Sequence, residues 1–179
     1  MQGLADLLPY GGQRLLEGAT EMEYHHTASN IQGLTFYGEN VNVTLKARLS
    51  RENPIPVNWF SDPSYILFGR IRSVAVRCSP NNANFPIAAL ENLEILQVFS
   101  WDGPFTEAFF PLLHPGAEIP CMSLQAIHCA YLEPLGPLVS LVKARLQAGH
   151  RLASVHFPTL PDQESIAELK ELVGKVSVD

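Results

Sequence analysis

Residues 90–98 read Leu90-Glu91-Asn92-Leu93-Glu94-Ile95-Leu96-Gln97-Val98. Apolar side chains stand at Leu90, Leu93, Leu96 and Val98. The last step, of two residues, is the alternation of a half-buried strand; the steps of three before it are not. The frame recurs at Phe68, Ile71, Val74 and Val76, and again at Cys121, Leu124, Ile127 and Cys129. Shorter versions follow at Leu152, Val155 and Phe157, and at Val173, Val176 and Val178. From Ile71 through Leu93, Leu124 and Leu152 to Val173 the steps are 22, 31, 28 and 21 residues. A phrase repeated at such a period marks a stack of similar units, each burying its apolar side against its neighbours.

Composition narrows the setting. A chain of 179 residues with 46% hydrophobic residues is long enough and apolar enough to bury a core. The net charge is −6. Residues 1–90 carry 7 basic and 7 acidic side chains, and residues 91–179 carry 5 and 11, so all the excess acidity lies in the second half. An acidic chain without a basic stripe is a poor binder of nucleic acid or anionic membrane, and neither is expected as a partner. No stretch has the ~18 apolar residues of a membrane span. Met1-Gln2-Gly3-Leu4-Ala5-Asp6 lacks the basic flank and apolar run of a signal peptide. Cys78, Cys121 and Cys129 form no paired framework, and Cys121 and Cys129 occupy apolar slots of the repeat. Reduced, buried thiols in an intracellular protein, cytoplasmic or nuclear, are expected. On that reading the Asn42-Val43-Thr44 sequon is a coincidence in a strand.

Between the strand phrases lie helical segments. Over Gly136–His150, Leu138, Val139, Leu141, Val142 and Leu146 form an apolar face, while Lys143, Arg145 and Gln147 point away. Pro137 suits the first turn and Gly149 a C-cap. Asp162–Val173 has Asp162 as N-cap, an Ile166, Leu169 and Leu172 stripe, and Gly174 as its stop. Pro104–His114 is a third helix broken or kinked by Pro111, and Ser61–Arg70 a weaker fourth. Ahead of the repeats, Glu21–His25, Gly33–Tyr37 and Asn40–Leu45 read as strands, with a hairpin turn at Gly38-Glu39.

The frame and its period are close to those of leucine-rich repeats, roughly 20–29 residues. The expected fold is therefore α/β: an irregular leucine-rich-repeat solenoid, with parallel strands on one face and helices on the other. A β-meander-like part precedes it over residues 1–50, and the repeats fill 65–179 of a single domain. A doubly wound sheet also alternates strand and helix. Its strands are buried on both faces, however, and Val74-Ala75-Val76-Arg77 alternates instead.

The run SLQAIHCAYLEPLGPLVSLVKARLQAGHRLASVHF, from Ser123 to Phe157, resembles the tail of F-box/leucine-rich-repeat proteins of basidiomycete fungi. The resemblance rests on the helix Leu138–Arg145, the turn Ala148-Gly149-His150-Arg151-Leu152, the acidic helix Glu168–Leu172 and the closing strand Val176–Asp179. Ala89–Leu96 resembles the preceding repeat. The resemblance implies a substrate-binding repeat region. Family members carry an F-box near the N-terminus that docks a ubiquitin-ligase adaptor. No F-box pattern is legible here, and adaptor binding is not expected of these residues.

No catalytic, cofactor or metal signature emerges. His114, Cys121, His128 and Cys129 do not have zinc-ligand spacing, and adjacent His128 and Cys129 would point to opposite faces of a strand. There is no phosphate loop and no nucleophile elbow. Two function classes remain. In a binding module, outward-facing strand residues read a protein partner. One column is then Ala75, Gln97, His128, His156 and Ser177; the next is Arg77, Phe99, Ala130, Pro158 and Asp179. Arg77, Gln97, Phe99, His128 and His156 are the candidate contacts, with Arg77 and Phe99 as anchors because arginine and aromatic side chains dominate hot spots. The same face could also be merely solvated. The alternative class is a small α/β enzyme of unknown reaction. Helices on one face only favour binding; helices on both favour the enzyme.

Overall fold

The computed structural model describes residues 17–26, 31–39, 41–48, 68–77, 87, 90–99, 106–107, 109–116, 118–130, 135–159 and 163–178. Eight strands form one sheet: β1 (Ala19–His26), β2 (Ile31–Gly38), β3 (Val41–Arg48), β4 (Ser73–Arg77), β5 (Ile95–Phe99), β6 (Ala126–Ala130), β7 (Ser154–Phe157) and β8 (Lys175–Val178). Their order across the sheet is β3-β2-β1-β4-β5-β6-β7-β8. The strands from β4 to β8 pair in parallel and in sequence order, in the register the repeated frame requires. Val74, Leu96, Ile127, Val155 and Val176 are successive cross-strand neighbours.

β5, β6 and β7 are entered in the same way. The carbonyl of Arg72 accepts from the amides of Glu94 and Ile95, that of Glu94 from Gln125 and Ala126, and that of Gln125 from Ala153 and Ser154. One extra hydrogen bond ahead of each of these three strands thus locks the upstream slot of the frame in place. Those slots are buried without exception among the described residues: Ile71, Leu90, Leu93, Cys121, Leu124, Leu152 and Val173 are all at most 3% exposed. This explains the steps of three, since the chain turns into the core before it straightens. Leu93 and Leu124 close these turns by donating to the carbonyls of Leu90 and Cys121.

The N-terminal part is an antiparallel meander, β1 against β2 and β2 against β3. The hairpin differs by one residue from the expected turn. Gly38 pairs with Val41, so it belongs to the ladder and not to the expected Gly38-Glu39 turn. Gly38 stays in the ladder because a Cβ there would fall on the carbonyl of Gly18. The meander also joins the repeats: β1 runs parallel to β4, with Glu23 opposite Ala75 and His25 opposite Arg77.

Two helices are described, α1 (Gly136–Gln147) and α2 (Gln163–Leu172). In α1, Pro137 lies in the first turn. The helix ends in a Schellman motif, with Gly149 at φ 82°, its amide donating to Leu146 and that of His150 donating to Arg145. Arg151 bonds the carbonyls of Leu172 and Val173 at 3.1 and 2.9 Å, placing a cation on the C-terminus of α2. Lys143 of α1 pairs with Glu168 of α2 at 2.5 Å. Asp162, the expected N-cap, lies outside the described residues. Of the two further segments expected to be helical, Pro104–His114 has helical Thr106, Glu107 and Phe109 followed by a 3-10 turn over Phe110–Leu113 with Pro111 at its start, and Ser61–Arg70 has a 3-10 turn at Phe68–Arg70.

One assignment in α1 is corrected. Arg145 does not point to solvent: it is fully buried, whereas Leu146 is 36% exposed. The Arg145 guanidinium donates to the carbonyls of Pro120 and Cys121 at 2.9 and 3.0 Å. It thereby holds the turn in which Cys121 adopts a left-handed φ of 50°. Side chains at helix positions 138, 141, 142 and 145 share one face, so the helix is rotated to bring this clamp inside.

A single core joins the inward faces of β1, β2 and β4 to β7 to Leu138, Leu141 and Val142 of α1 and Leu169 of α2. Both helices therefore lie on one face of the sheet. Among the described residues, no helix covers the other face.

Candidate functional site

Strand alternation sends every second residue of β4–β8 away from the helices. The burial pattern of β4 and β5 shows this directly: Val74, Val76, Leu96 and Val98 are buried, and their neighbours are more exposed. The outward residues line up across the sheet. Ala75 is opposite Gln97, Gln97 opposite His128, His128 opposite His156 and His156 opposite Ser177. In the next row Arg77 is opposite Phe99 and Phe99 opposite Ala130. The candidates Arg77, Gln97, Phe99, His128 and His156 thus occupy adjoining positions on one face. Asp179 lies outside the described residues, and Ala130 is buried at 7% exposure.

Two contact groups build this face. In the first, the Arg77 guanidinium lies 4.0 Å from the centre of the Phe99 ring and pairs through Nε with Glu23 Oε1 at 2.7 Å. The second Glu23 oxygen accepts from the Tyr37 hydroxyl at 3.1 Å. One carboxylate therefore holds a cation on one side and a phenol on the other. Burial, and then the Glu23 carboxylate, push the Tyr37 phenol up. The Arg77 side chain is 52% exposed, so its ion pair contributes little to stability, on the order of 0.2–1 kcal/mol. What the pairing does is hold the guanidinium over the ring. His25 completes this end: its ring occupies the space that a Cβ on Gly33 would need.

In the second group the His128 and His156 rings meet edge to face, 5.3 Å between centres. His156 Nδ1 lies 3.1 Å from the Ser177 hydroxyl. Burial, and then the neighbouring His156, hold the His128 imidazole below its ordinary protonation range.

The two described cysteines take no part, and Cys78 lies outside the described residues. Cys129 points into the core while His128, next to it, faces outward. Burial raises the Cys121 thiol to about 12 and pushes that of Cys129 up as well, so both are protonated and unreactive at neutral pH. Among the described residues, no three His, Cys, Asp or Glu side chains cluster as metal ligands would. No described helix is long and apolar enough to cross a membrane.

Glu23 and Tyr37 are the members of the site that sequence reasoning missed. Both belong to the meander, outside the repeated frame. The available signal was the alternation Glu21-Met22-Glu23-Tyr24-His25, which places three polar side chains on one strand face. That face could be joined to the repeats only by knowing that β1 pairs with β4.

The fold and site together define an α/β domain with a mostly parallel sheet, helices against one face and a polar, aromatic-bearing surface on the other. No protein-family model, curated protein or solved structure matches this chain.

Proposed function

We propose that this chain is a protein-interaction module of the leucine-rich-repeat type, an irregular solenoid that docks a partner on the outward face of its sheet. The observation that carries the reading is the continuous row structure of that face. Five strands supply in-register side chains, and Arg77 lies over Phe99 and is braced by Glu23. Bracing matters because a side chain held in its bound conformation loses little entropy on binding. Arginine and aromatic residues are also the types that contribute most per contact at interfaces. The uniform entry hydrogen bonds support the solenoid reading, since equivalent units stacked at one geometry would make them. The role of substrate-binding region in an F-box-type protein is part of this proposal, on the resemblance of Ser123–Phe157 alone.

Site-specific photo-crosslinking in cells tests it. A photoreactive residue at Gln97, at the centre of the face, should capture a discrete protein. The capture should disappear when Arg77→Ala and Phe99→Ala are combined. The same probe at Ser140, exposed on α1, should capture nothing in common with it. Identical capture from both positions, or capture indifferent to the double substitution, would sink the proposal.

A further inference from the structure

The docking face differs in charge from the rest of the chain. The protein carries 18 acidic side chains against 12 lysines and arginines, and 11 of the acidic ones fall in residues 91–179. Among the described residues, none of them stands at an outward position within β4–β8. The ionisable residues at outward positions there are Arg77, His128, His156 and Lys175, all of them basic types. The carboxylates of the described face belong to β1, where Glu21 is exposed and Glu23 is already held by Arg77 and Tyr37. A surface from which one sign has been excluded, on a chain rich in that sign, is complementary to a ligand bearing it.

We propose that the occupant of this face is a carboxylate-rich segment of a partner protein, with acidic side chains seated against His128, His156 and Lys175. This rests on the docking reading above and specifies the partner's chemistry. A basic segment would meet Arg77 and Lys175, with no carboxylate among the described outward residues of β4–β8 to receive it.

The histidines give the interaction a pH signature. The groups around them on the sheet are Gln97 on β5, Ser154 on β7, and Lys175 and Ser177 on β8. Among the described strand residues on the other side, the charged groups are Arg77 and its partner Glu23. In the free protein, burial and then the neighbouring His156 disfavour protonation of His128. A partner carboxylate reverses that balance, so binding takes up protons and tightens as pH falls through the histidine range, while glutamate side chains stay ionised.

Fluorescence anisotropy on the full chain tests this. The probes are a labelled glutamate-rich peptide, a lysine-rich peptide of equal length and an uncharged serine-glycine peptide. The glutamate peptide should bind at low salt, at least about threefold tighter at pH 6 than at pH 7.5, and weaken as salt is raised. His128→Asn with His156→Asn should abolish the pH dependence. Lys175→Glu, at an exposed site, should weaken binding severalfold without touching the core. Lys143→Ala, on the helix side, should change nothing. Equal binding of the lysine peptide, or glutamate-peptide binding indifferent to the histidine and Lys175 variants, overturns the proposal. If the glutamate peptide fails to bind while Gln97 still captures a partner, the docking face stands and only the acidic assignment falls.

Discussion

Removing the Arg145 guanidinium should be among the most damaging single changes to this fold. In Arg145→Ala a buried carbonyl, of Cys121, and a part-buried one, of Pro120, lose their donors. Each unsatisfied acceptor costs about 1–3 kcal/mol. The lost methylene stem adds about 2 kcal/mol of burial at roughly 0.8 kcal/mol per methylene. Against this, the folded protein is relieved of a desolvated cation whose Nε has no hydrogen-bond partner, which offsets several kcal/mol. The expected net loss is on the order of 2–4 kcal/mol. Arg145→Met keeps the stem and also removes the charge, so it should cost about half as much. With a urea slope near 2 kcal/mol/M for a domain of this size, the alanine variant should lower the midpoint by about 1–2 M. Gln147→Ala, exposed on the same helix, should stay within about 0.5 kcal/mol of wild type. If Arg145→Ala and Gln147→Ala shift the urea midpoint equally, the guanidinium is solvated and the clamp on the Cys121 turn is wrong.

Further outcomes follow from individual contacts. Leu96→Ala, at a fully buried slot, should cost about 2–5 kcal/mol, whereas Gln97→Ala, the next residue but facing outward, should leave the melting temperature nearly unchanged. Because His128 is held below its ordinary range when folded, the unfolded chain binds more protons. Stability should therefore fall as pH drops from neutral through the ordinary histidine pKa of about 6.5, and His128→Asn should flatten the urea midpoint against pH. Iodoacetamide at mildly alkaline pH should leave Cys121 and Cys129 unmodified in the native chain and alkylate both in urea, as read by peptide mass spectrometry; rapid native labelling would contradict their burial. Gly38→Ala should destabilise far more than Gly69→Ala. The first places a Cβ on the Gly18 carbonyl and the second meets nothing within 4 Å, so equal melting temperatures would contradict the β1–β2 register.

Much of the repeat region was legible because its determinants are local. The frame at Leu90, Leu93, Leu96 and Val98 specifies which side chains go inside, and strand alternation then assigns the outward rows without further information. Pro137 and Gly149 likewise bracket α1 through their own backbone preferences. What was not legible depends on distant partners. The approach of Glu23 to Arg77 is settled by β1 adding to the edge of β4 in parallel, and nothing in either strand encodes that choice of neighbour. Arg145 was misread because its type belongs outside by default. Its burial is explained by two carbonyls about 25 residues upstream, in a turn whose left-handed Cys121 has no glycine to announce it. The hairpin slipped by one residue because Gly38 serves the close approach of Gly18 rather than the turn.

The docking face can be tested most directly by hydroxyl-radical footprinting of the chain alone and bound to the partner captured through Gln97. In the free chain Phe99, His128 and His156 should be oxidised readily, being only partly buried on a face that no described helix covers. On binding, protection should be confined to these residues and their row neighbours. Leu146, exposed on the helix side, should react equally in both states. Protection of Leu146 with Phe99, His128 and His156 unchanged would place the partner on the helices and contradict the assignment of this face.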